Sequence, residues 1–187
     1  ATVRSDRMEA IRDLMWRAHE RESLTPAAMG ESIAVMRIGR AEIEANPDGV
    51  AIGGALFETM ARLGLLTREA MADPESTSFQ QGMEMYRGLC AATPAAFWIV
   101  SEEQGRAAEI AVGRAYLRAQ LTATGLGLAF QPMSQALQEY AEMADLHAEA
   151  RSLFDAPESG AVQMLARVGV APETAPSPRW PLESRLV

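Results

Sequence analysis

The sequence contains one cysteine, Cys90, and only 6% aromatic residues. A single cysteine excludes an internal disulfide and a cysteine cage for a metal. No stretch approaches the roughly 18 consecutive apolar residues of a membrane-spanning helix, so no membrane span is predicted. Acidic residues outnumber basic ones by 25 to 17, and the net charge of −8 argues against a nucleic-acid partner, which needs a clustered basic surface.

Common catalytic motifs are also missing. The sequence has no Gly-x-Ser-x-Gly, P-loop or Gly-x-Gly-x-x-Gly segment, so it gives no support to a serine hydrolase, a nucleoside triphosphatase or a Rossmann enzyme. His19 lies close to Glu20 and Glu22, but the zinc pattern His-Glu-x-x-His is absent, so we interpret this segment as a solvated helix face. The only other histidine, His147, is interpreted as a surface residue. No side chain is nominated as a catalytic acid or base.

What the chain does contain is typical of a globular domain. With 187 residues and 48% hydrophobic content, it can bury a core without metals or disulfides. Eleven methionines indicate a core of adaptable side chains. Cys90 repeats in phase with Phe79, Met83 and Tyr86, which predicts a buried core thiol.

Residues 1–92 are predicted to be mainly helical. Met8, Ile11, Met15 and Ala18 recur at three- and four-residue spacing, which predicts an amphipathic helix over residues 6–21. Proline and glycine separate the elements that follow. These are a helix begun by Thr25–Pro26, a turn at Asn46–Gly49, a helix through Leu56, Met60 and Leu63 that Gly64 ends, and a helix over residues 79–90.

Residues 93–187 are predicted to alternate strands and helices, and the two segments together to form one compact α+β unit with a small antiparallel or mixed sheet. A helix over residues 105–124 carries Gly113 in its interior, where close packing against another backbone would explain the glycine, so we expect this long helix to be central. The predicted elements are a strand over 95–100, a capping box at Ser101–Gln104 that opens the long helix, a strand over 126–130, a helix over 135–149 capped by Ser134, and a strand over 161–168.

A family resemblance rests on three stretches of this second segment. They begin Gly113-Arg-Ala-Tyr-Leu-Arg, Val162-Gln-Met-Leu-Ala-Arg and Ser177-Pro-Arg-Trp-Pro-Leu, and the first runs on through Gly125-Leu-Gly-Leu. This pattern resembles the C-terminal half of the FMN-dependent nitroreductases, in particular a bacterial branch whose precursors carry twin-arginine export signals. The resemblance implies an FMN-binding oxidoreductase that transfers two electrons from NAD(P)H to a small-molecule acceptor.

The same resemblance implies where FMN binds. Pro132, Met133, Ser134 and Gln135 match a loop whose backbone amides lie along the N5 and O4 edge of the flavin, where donors stabilise developing negative charge. Arg179 matches a basic residue that binds the FMN phosphate, and the prolines around it stiffen a guanidinium that suits phosphate.

The sequence also differs from the family pattern in two places. Ser177 replaces the second basic residue that the family commonly has near the phosphate. The letters Arg4-Ser5-Asp6-Arg7 match a phosphate-binding start of the family, but the Pro-Ser-x-x-Asn-x-Gln-type segment expected after it is absent.

The resemblance also implies a partner, because flavin sites of this type are built by two halves. We expect a homodimer or a sister nitroreductase-like lobe, with the proline-rich tail, residues 172–187, lying across the neighbour. The alternative is a catalytically silent module that covers a flavin, stores FMN or pairs with another lobe; a helical interaction module is a third. The parent protein is expected to be exported to the periplasm if it carries a twin-arginine signal, and cytoplasmic otherwise.

Overall fold

The computed structural model describes residues 5–174 and 176–186. Arg4, which opens the Arg-Ser-x-Arg sequence, lies outside the described residues, as do Ala175 and Val187 of the tail. The chain divides into two compact units. The first comprises the described residues up to Glu22 together with Met85–Pro172, and the second comprises Ser23–Glu84 together with the described residues from Glu173 onward. The predicted boundary at residues 92/93 therefore falls inside the first unit.

The described residues form helices and two small sheets, which confirms the α+β class. The α-helices are α1 (Ser5–Ser23), α2 (Pro26–Ala34), α3 (Gly39–Ala45), α4 (Ala55–Arg62), α5 (Arg68–Ala72), α6 (Thr77–Ala91), α7 (Arg106–Gly125) and α8 (Ala144–Leu153). The strands are β1 (Met36–Ile38), β2 (Val50–Ile52), β3 (Ala95–Ser101), β4 (Ala129–Pro132) and β5 (Ala161–Gly169). Short 3-10 helices lie at Gln135–Leu137, Ala141–Met143 and Leu182–Arg185.

The first unit is built on an antiparallel sheet of three strands in the order β3-β5-β4. Apolar and aromatic residues fill these strands, and their register pairs Trp98 with Leu165 and Pro132 with Ala166. The three strands predicted from sequence thus share one sheet, although β4 begins at Ala129, three residues later than predicted. Since Pro132 lacks an N–H, its place at the end of the edge strand costs no ladder hydrogen bond in the sheet interior.

The core of this unit forms around α1. Met8, Ile11, Met15 and Ala18 are all buried, as their spacing predicts, and Leu14 joins them. The other side chains of this core come from the end of α6, the sheet and the region of α8; they include Cys90, Met133, Met143, Leu146, Phe154 and Leu165. The predicted burial of the Cys90 thiol is therefore confirmed.

The expectation that α7 is central is wrong. Only Ala123 of this helix is buried. The helix packs on the sheet through one side, where Tyr116 meets Phe130 with ring centroids 5.5 Å apart, and Gly113 lies on the other side. A Cβ atom added to Gly113 would have no atom of the described residues within 4 Å, so no packing among these residues accounts for this glycine.

Two predicted helix starts are also wrong. Ser101 is the last residue of β3, paired with Ala161, and the Gln104 amide donates to the carbonyl of Gly160, so neither residue caps a helix; Gly105 precedes α7 instead. The predicted helix over 135–149 begins only at Ala144. Gln138 has extended backbone angles, φ −80° and ψ 145°, and its side chain donates to Glu22, which interrupts a continuous helix.

The second unit contains α2 to α5 and a parallel pair, β1 and β2, that the sequence patterns do not predict. Arg68 donates to both carboxylate oxygens of Glu42, and Glu42 accepts the backbone N–H of Ile38, which ties three elements together. Gly49 lies before β2 with φ +66°, and a Cβ there would meet the Val35 carbonyl oxygen at 2.1 Å, so only glycine fits this turn.

The described part of the tail belongs to the second unit. The Trp180 indole N–H donates to Asp48 at 2.9 Å, and the Arg185 guanidinium lies 4.2 Å from the centre of the Trp180 ring. Within this chain the tail thus contacts its own unit through the exposed carboxylate of Asp48. The prediction that the tail lies across a neighbour stays a prediction. Among the described residues, no helix is long and apolar enough to span a membrane.

Candidate functional site

The loop predicted to meet a flavin follows β4 in the first unit. Pro132 and Ser134 are exposed, Gln135 is half-buried and Met133 is only 1% exposed. The Met133 amide donates to the Leu165 carbonyl at 2.8 Å, which extends the β4–β5 ladder by one bond. The expectation that the amides of this loop are free to donate therefore fails at Met133.

The backbone amides of Ser134 and Gln135 remain able to donate to a ligand. Their backbone N–H groups have no hydrogen-bond acceptor among the described residues, because the 3-10 helix that begins here uses only carbonyls from these positions. The 3-10 helix that begins at Gln135 has only three residues, so it supplies no dipole comparable with that of a long helix. Two adjacent N–H groups at a strand end nevertheless form a donor pair that an anionic or carbonyl oxygen can accept.

The Gln135 side chain joins a polar cluster that sequence spacing does not reveal. Its amide nitrogen donates to the Tyr86 hydroxyl at 3.2 Å, and that hydroxyl donates to the Met133 sulfur at 3.6 Å. His19 of α1 stacks on the Tyr86 ring, with centroids 3.4 Å apart and an angle of 11° between the planes. These residues come from α1, α6 and the 3-10 helix, so no local motif could have indicated the cluster.

The interpretation of His19 and Glu22 as a solvated face is wrong, because both are half-buried. Burial lowers the pKa of His19 to about 4. Burial raises the pKa of Glu22, and hydrogen bonds from Gln138 and Gln135 act in the opposite direction. Burial also raises the pKa of Tyr86 to about 12. At neutral pH the cluster thus holds a neutral imidazole, a neutral phenol and a carboxyl group with weakened acidity.

One acceptor of this cluster has no donor. The Gln135 side-chain oxygen is buried and has no hydrogen-bond partner among the described residues. A buried polar atom left unpaired costs about 1–3 kcal/mol. A ligand that offers an N–H group would satisfy this atom, so the atom marks the loop as a candidate binding position.

Arg179, the predicted phosphate ligand, lies in the second unit. It is exposed, and its guanidinium donates to the carbonyl of its own neighbour Pro178 at 2.9 Å. No carboxylate among the described residues pairs with it. Arg179 lines a cavity of about 490 Å³ whose other lining residues are Pro47, Asp48, Gly49, Ala51, Ser177, Pro178 and Trp180.

One charged residue that lines this cavity, Asp48, is already paired with other side chains of the second unit. Asp48 accepts from Trp180 and forms an ion pair with Arg37 at 2.8 Å, and these contacts hold the pKa of the Asp48 carboxyl below its usual value. Since Asp48 is occupied by other partners, the Arg179 guanidinium keeps its capacity for an anion. The predicted site residues are divided between the units: Pro132 to Gln135 belong to the first and Arg179 to the second.

Other site types find little support. The described residues contain no group of three or more His, Cys, Asp or Glu side chains placed to hold a metal ion. Cys90 is buried, and burial raises the pKa of its thiol to about 11, with Arg167 acting in the opposite direction. Such a thiol is a poor nucleophile at neutral pH.

In comparisons with known proteins, no family model, no curated protein and no solved structure matches this chain. The class of protein that the fold defines is therefore an α+β protein with a small antiparallel sheet.

Proposed function

We propose that this chain is an FMN-binding, nitroreductase-like oxidoreductase, or the C-terminal lobe of one. The observation that carries the proposal is the loop after β4, where the N–H groups of Ser134 and Gln135 lack acceptors and the Gln135 side-chain oxygen lacks a donor. A flavin ring offers both carbonyl oxygens and an N–H group along one edge. The loop therefore fits the hydrogen-bonding capacity of the cofactor that the sequence resemblance implies.

Each residue has a defined part in this proposal. Ser134 and Gln135 donate backbone N–H groups, and Gln135 accepts through its side chain. Arg179 of the second unit is the phosphate ligand that the family resemblance implies. Pro132 and Met133 keep the loop in place, through the sheet register and a buried side chain. Bound FMN supplies the two-electron chemistry between NAD(P)H and a small acceptor, and the protein contributes binding and orientation.

The test is direct. The purified chain is examined for flavin absorbance, titrated with FMN, and assayed for NADPH and NADH oxidation with a small nitroaromatic acceptor. Binding together with oxidation supports the oxidoreductase. Binding without oxidation supports a protein that stores or covers flavin, and the absence of FMN binding overturns the flavoprotein proposal.

A second candidate function is lobe pairing without catalysis. It is favoured by α7, which leaves Ile110, Leu117 and Leu121 exposed instead of burying them in its own unit. Under this alternative the chain pairs with a second copy or with a sister nitroreductase-like lobe. We propose further that the parent protein is bacterial and that a twin-arginine signal, where present, directs it to the periplasm; a search of the open reading frame upstream for such a signal tests this.

A further inference from the structure

Arg167 of β5 is a half-buried cation that no carboxylate neutralises among the described residues. Its Nε donates to the side-chain oxygen of Gln131 at 2.7 Å, and its Nη groups have no acceptor in this part of the chain. Arg167 differs in this from the other half-buried arginines that the structure describes, because its acceptor is a neutral side-chain amide. Those others each donate to a carboxylate or a backbone carbonyl; they are Arg7, Arg12, Arg17, Arg21, Arg37, Arg68 and Arg151.

The sheet register places Arg167 at the margin of the core. Arg167 lies opposite Gln131 of β4. Successive strand residues alternate between the two faces of a sheet, so Arg167 shares the face of Leu165, which is fully buried. Its charge acts on Tyr86 and Cys90, which lie one turn apart on α6 and pack in the same core. The guanidinium of Arg167 therefore lies where the sheet meets α6.

The polar cluster around Tyr86 adjoins this position. Met133 continues the ladder two residues beyond Gln131, and its sulfur accepts from the Tyr86 hydroxyl at 3.6 Å. The Gln135 amide donates to the same hydroxyl at 3.2 Å, while the Gln135 side-chain oxygen is buried and has no donor among the described residues. The surroundings of Tyr86 thus offer a ligand both an open cation, Arg167, and an unused acceptor.

The titratable groups near Arg167 leave its charge unbalanced at neutral pH. Burial raises the pKa of the Cys90 thiol to about 11 and that of the Tyr86 hydroxyl to about 12, so both keep their protons. Glu22 is the carboxyl group of the cluster, and it accepts from Gln138 at 2.5 Å instead of pairing with Arg167. A ligand that brings its own negative charge is therefore favoured beside the guanidinium.

We propose that Arg167 is the cation of an oxyanion site in the first unit, which takes the carboxylate or phosphate group of a small molecule. The planar Nη edge of an arginine matches two oxygens of such a group, and Gln131 fixes the orientation of that edge by holding Nε. Tyr86 and Gln135 border the site. All four residues belong to the first unit, so the site is separate from Arg179 and stands whether or not the chain binds flavin.

NMR titration of the full chain at constant ionic strength tests the site with sodium benzoate, inorganic phosphate and neutral benzamide. Benzoate and phosphate are expected to bind with a Kd of about 1–10 mM, and benzamide to show no saturation in that range. Arg167→Gln should weaken benzoate binding by about 10-fold or more, the loss of one charge-assisted contact. Arg118→Gln is the matched control, because Arg118 is an exposed arginine of the same unit and should bind benzoate like the parent.

Three results overturn the site: no saturable binding of either anion, equal binding of benzamide and benzoate, or equal affinity of Arg167→Gln and the parent. Arg167→Lys carries the test if Arg167→Gln does not fold. Lysine keeps the charge but presents one ammonium group in place of a planar edge, so benzoate affinity should fall by roughly 3- to 10-fold. An Arg167→Lys variant that binds as tightly as the parent contradicts recognition by the guanidinium edge.

Competition with flavins identifies the source of the oxyanion. If FMN displaces benzoate and riboflavin, which has no phosphate, does not, the site takes the phosphate of the cofactor. In every other case the occupant is a separate small molecule. A chain that binds benzoate through Arg167 but binds no FMN loses the proposed flavoprotein function and keeps this site, so the two failures are distinguishable.

Discussion

His19 and Tyr86 lie face to face, with ring centroids 3.4 Å apart, and join α1 to α6 at the edge of the first unit's core. The imidazole stays neutral because burial lowers its pKa to about 4. The carboxyl group of Glu22, one turn away on α1, has its pKa raised by the same cause. These two groups make the stability of the unit depend on pH with opposite signs.

The first prediction concerns acid stability. The unfolded chain binds a proton at His19 near pH 6.5 and the folded chain only near pH 4, so stability falls as pH drops through this window. After allowance for solvent around a half-buried group, the loss is about 1–2 kcal/mol. His19→Phe keeps an aromatic ring against Tyr86 and should remove this loss in urea unfolding measured from pH 7 to 4.

Glu22 supplies the control for this prediction. Its raised pKa favours the folded state as pH falls, and so partly offsets the effect of His19. Glu22→Gln should therefore make the acid loss of stability steeper. A His19→Phe variant with the full pH dependence of the parent would show that the histidine is not responsible.

The second prediction concerns the Tyr86 hydroxyl. Tyr86→Phe removes the acceptor of the Gln135 amide and the donor to the Met133 sulfur while it keeps the ring, so we expect a loss of about 1 kcal/mol in unfolding free energy. Tyr116→Phe is the control, because the ring of Tyr116 packs on Phe130 and its hydroxyl has no hydrogen-bond partner among the described residues. Equal stability of both variants with the parent would contradict a structural role for the hydroxyl.

The third prediction concerns Gly160. A Cβ added here would lie 1.9 Å from the Ser101 carbonyl oxygen, which is backbone and cannot turn aside. Gly160→Ala should therefore destabilise the chain by about 1–3 kcal/mol. Gly88→Ala in α6 meets nothing within 4 Å and should instead stabilise it by about 0.5–1 kcal/mol. Thermal melts of the two variants should shift in opposite directions; a shift of the same sign would refute the packing argument.

The fourth prediction concerns Arg179. If FMN binds, Arg179→Ala loses one charge-assisted contact to phosphate, about 1.5–3 kcal/mol, so FMN affinity should fall roughly 10- to 100-fold. Arg118→Ala removes an exposed arginine of the first unit and should leave the affinity unchanged. Fluorescence titration with FMN checks both variants, and equal affinity of the Arg179 variant and the parent would remove Arg179 from the site.

Short-range sequence patterns predict where the helices and strands lie better than they predict which faces of these elements are buried. The spacing of Met8, Ile11 and Met15 is sufficient to predict both α1 and its buried face, because these apolar side chains form one continuous stripe that packs into one core. The Gly113 side of α7 has an equally regular apolar stripe, yet it is exposed in the chain. Periodicity indicates that a face is apolar; it does not indicate whether the same chain or another covers it.

The candidate site was less accessible to sequence reasoning than the fold. Pro132 to Gln135 are assigned to the flavin through a family resemblance, and no residue pattern predicts that the Met133 amide donates to the Leu165 carbonyl. The polar cluster escaped prediction because His19, Tyr86 and Gln135 are separated by tens of residues. Such contacts depend on the tertiary arrangement, which short-range spacing does not encode.

The discontinuous make-up of the first unit also affects how the chain folds during synthesis. Helix α1 is synthesised well before the core residues that cover it, such as Phe154 and Leu165, which follow more than a hundred residues later. At about 5–20 residues per second, the ribosome leaves the apolar stripe of α1 uncovered for several seconds or more. Closure of such sequence-distant contacts is slow, so Ile11 and Leu14 remain without their core partners for at least this time.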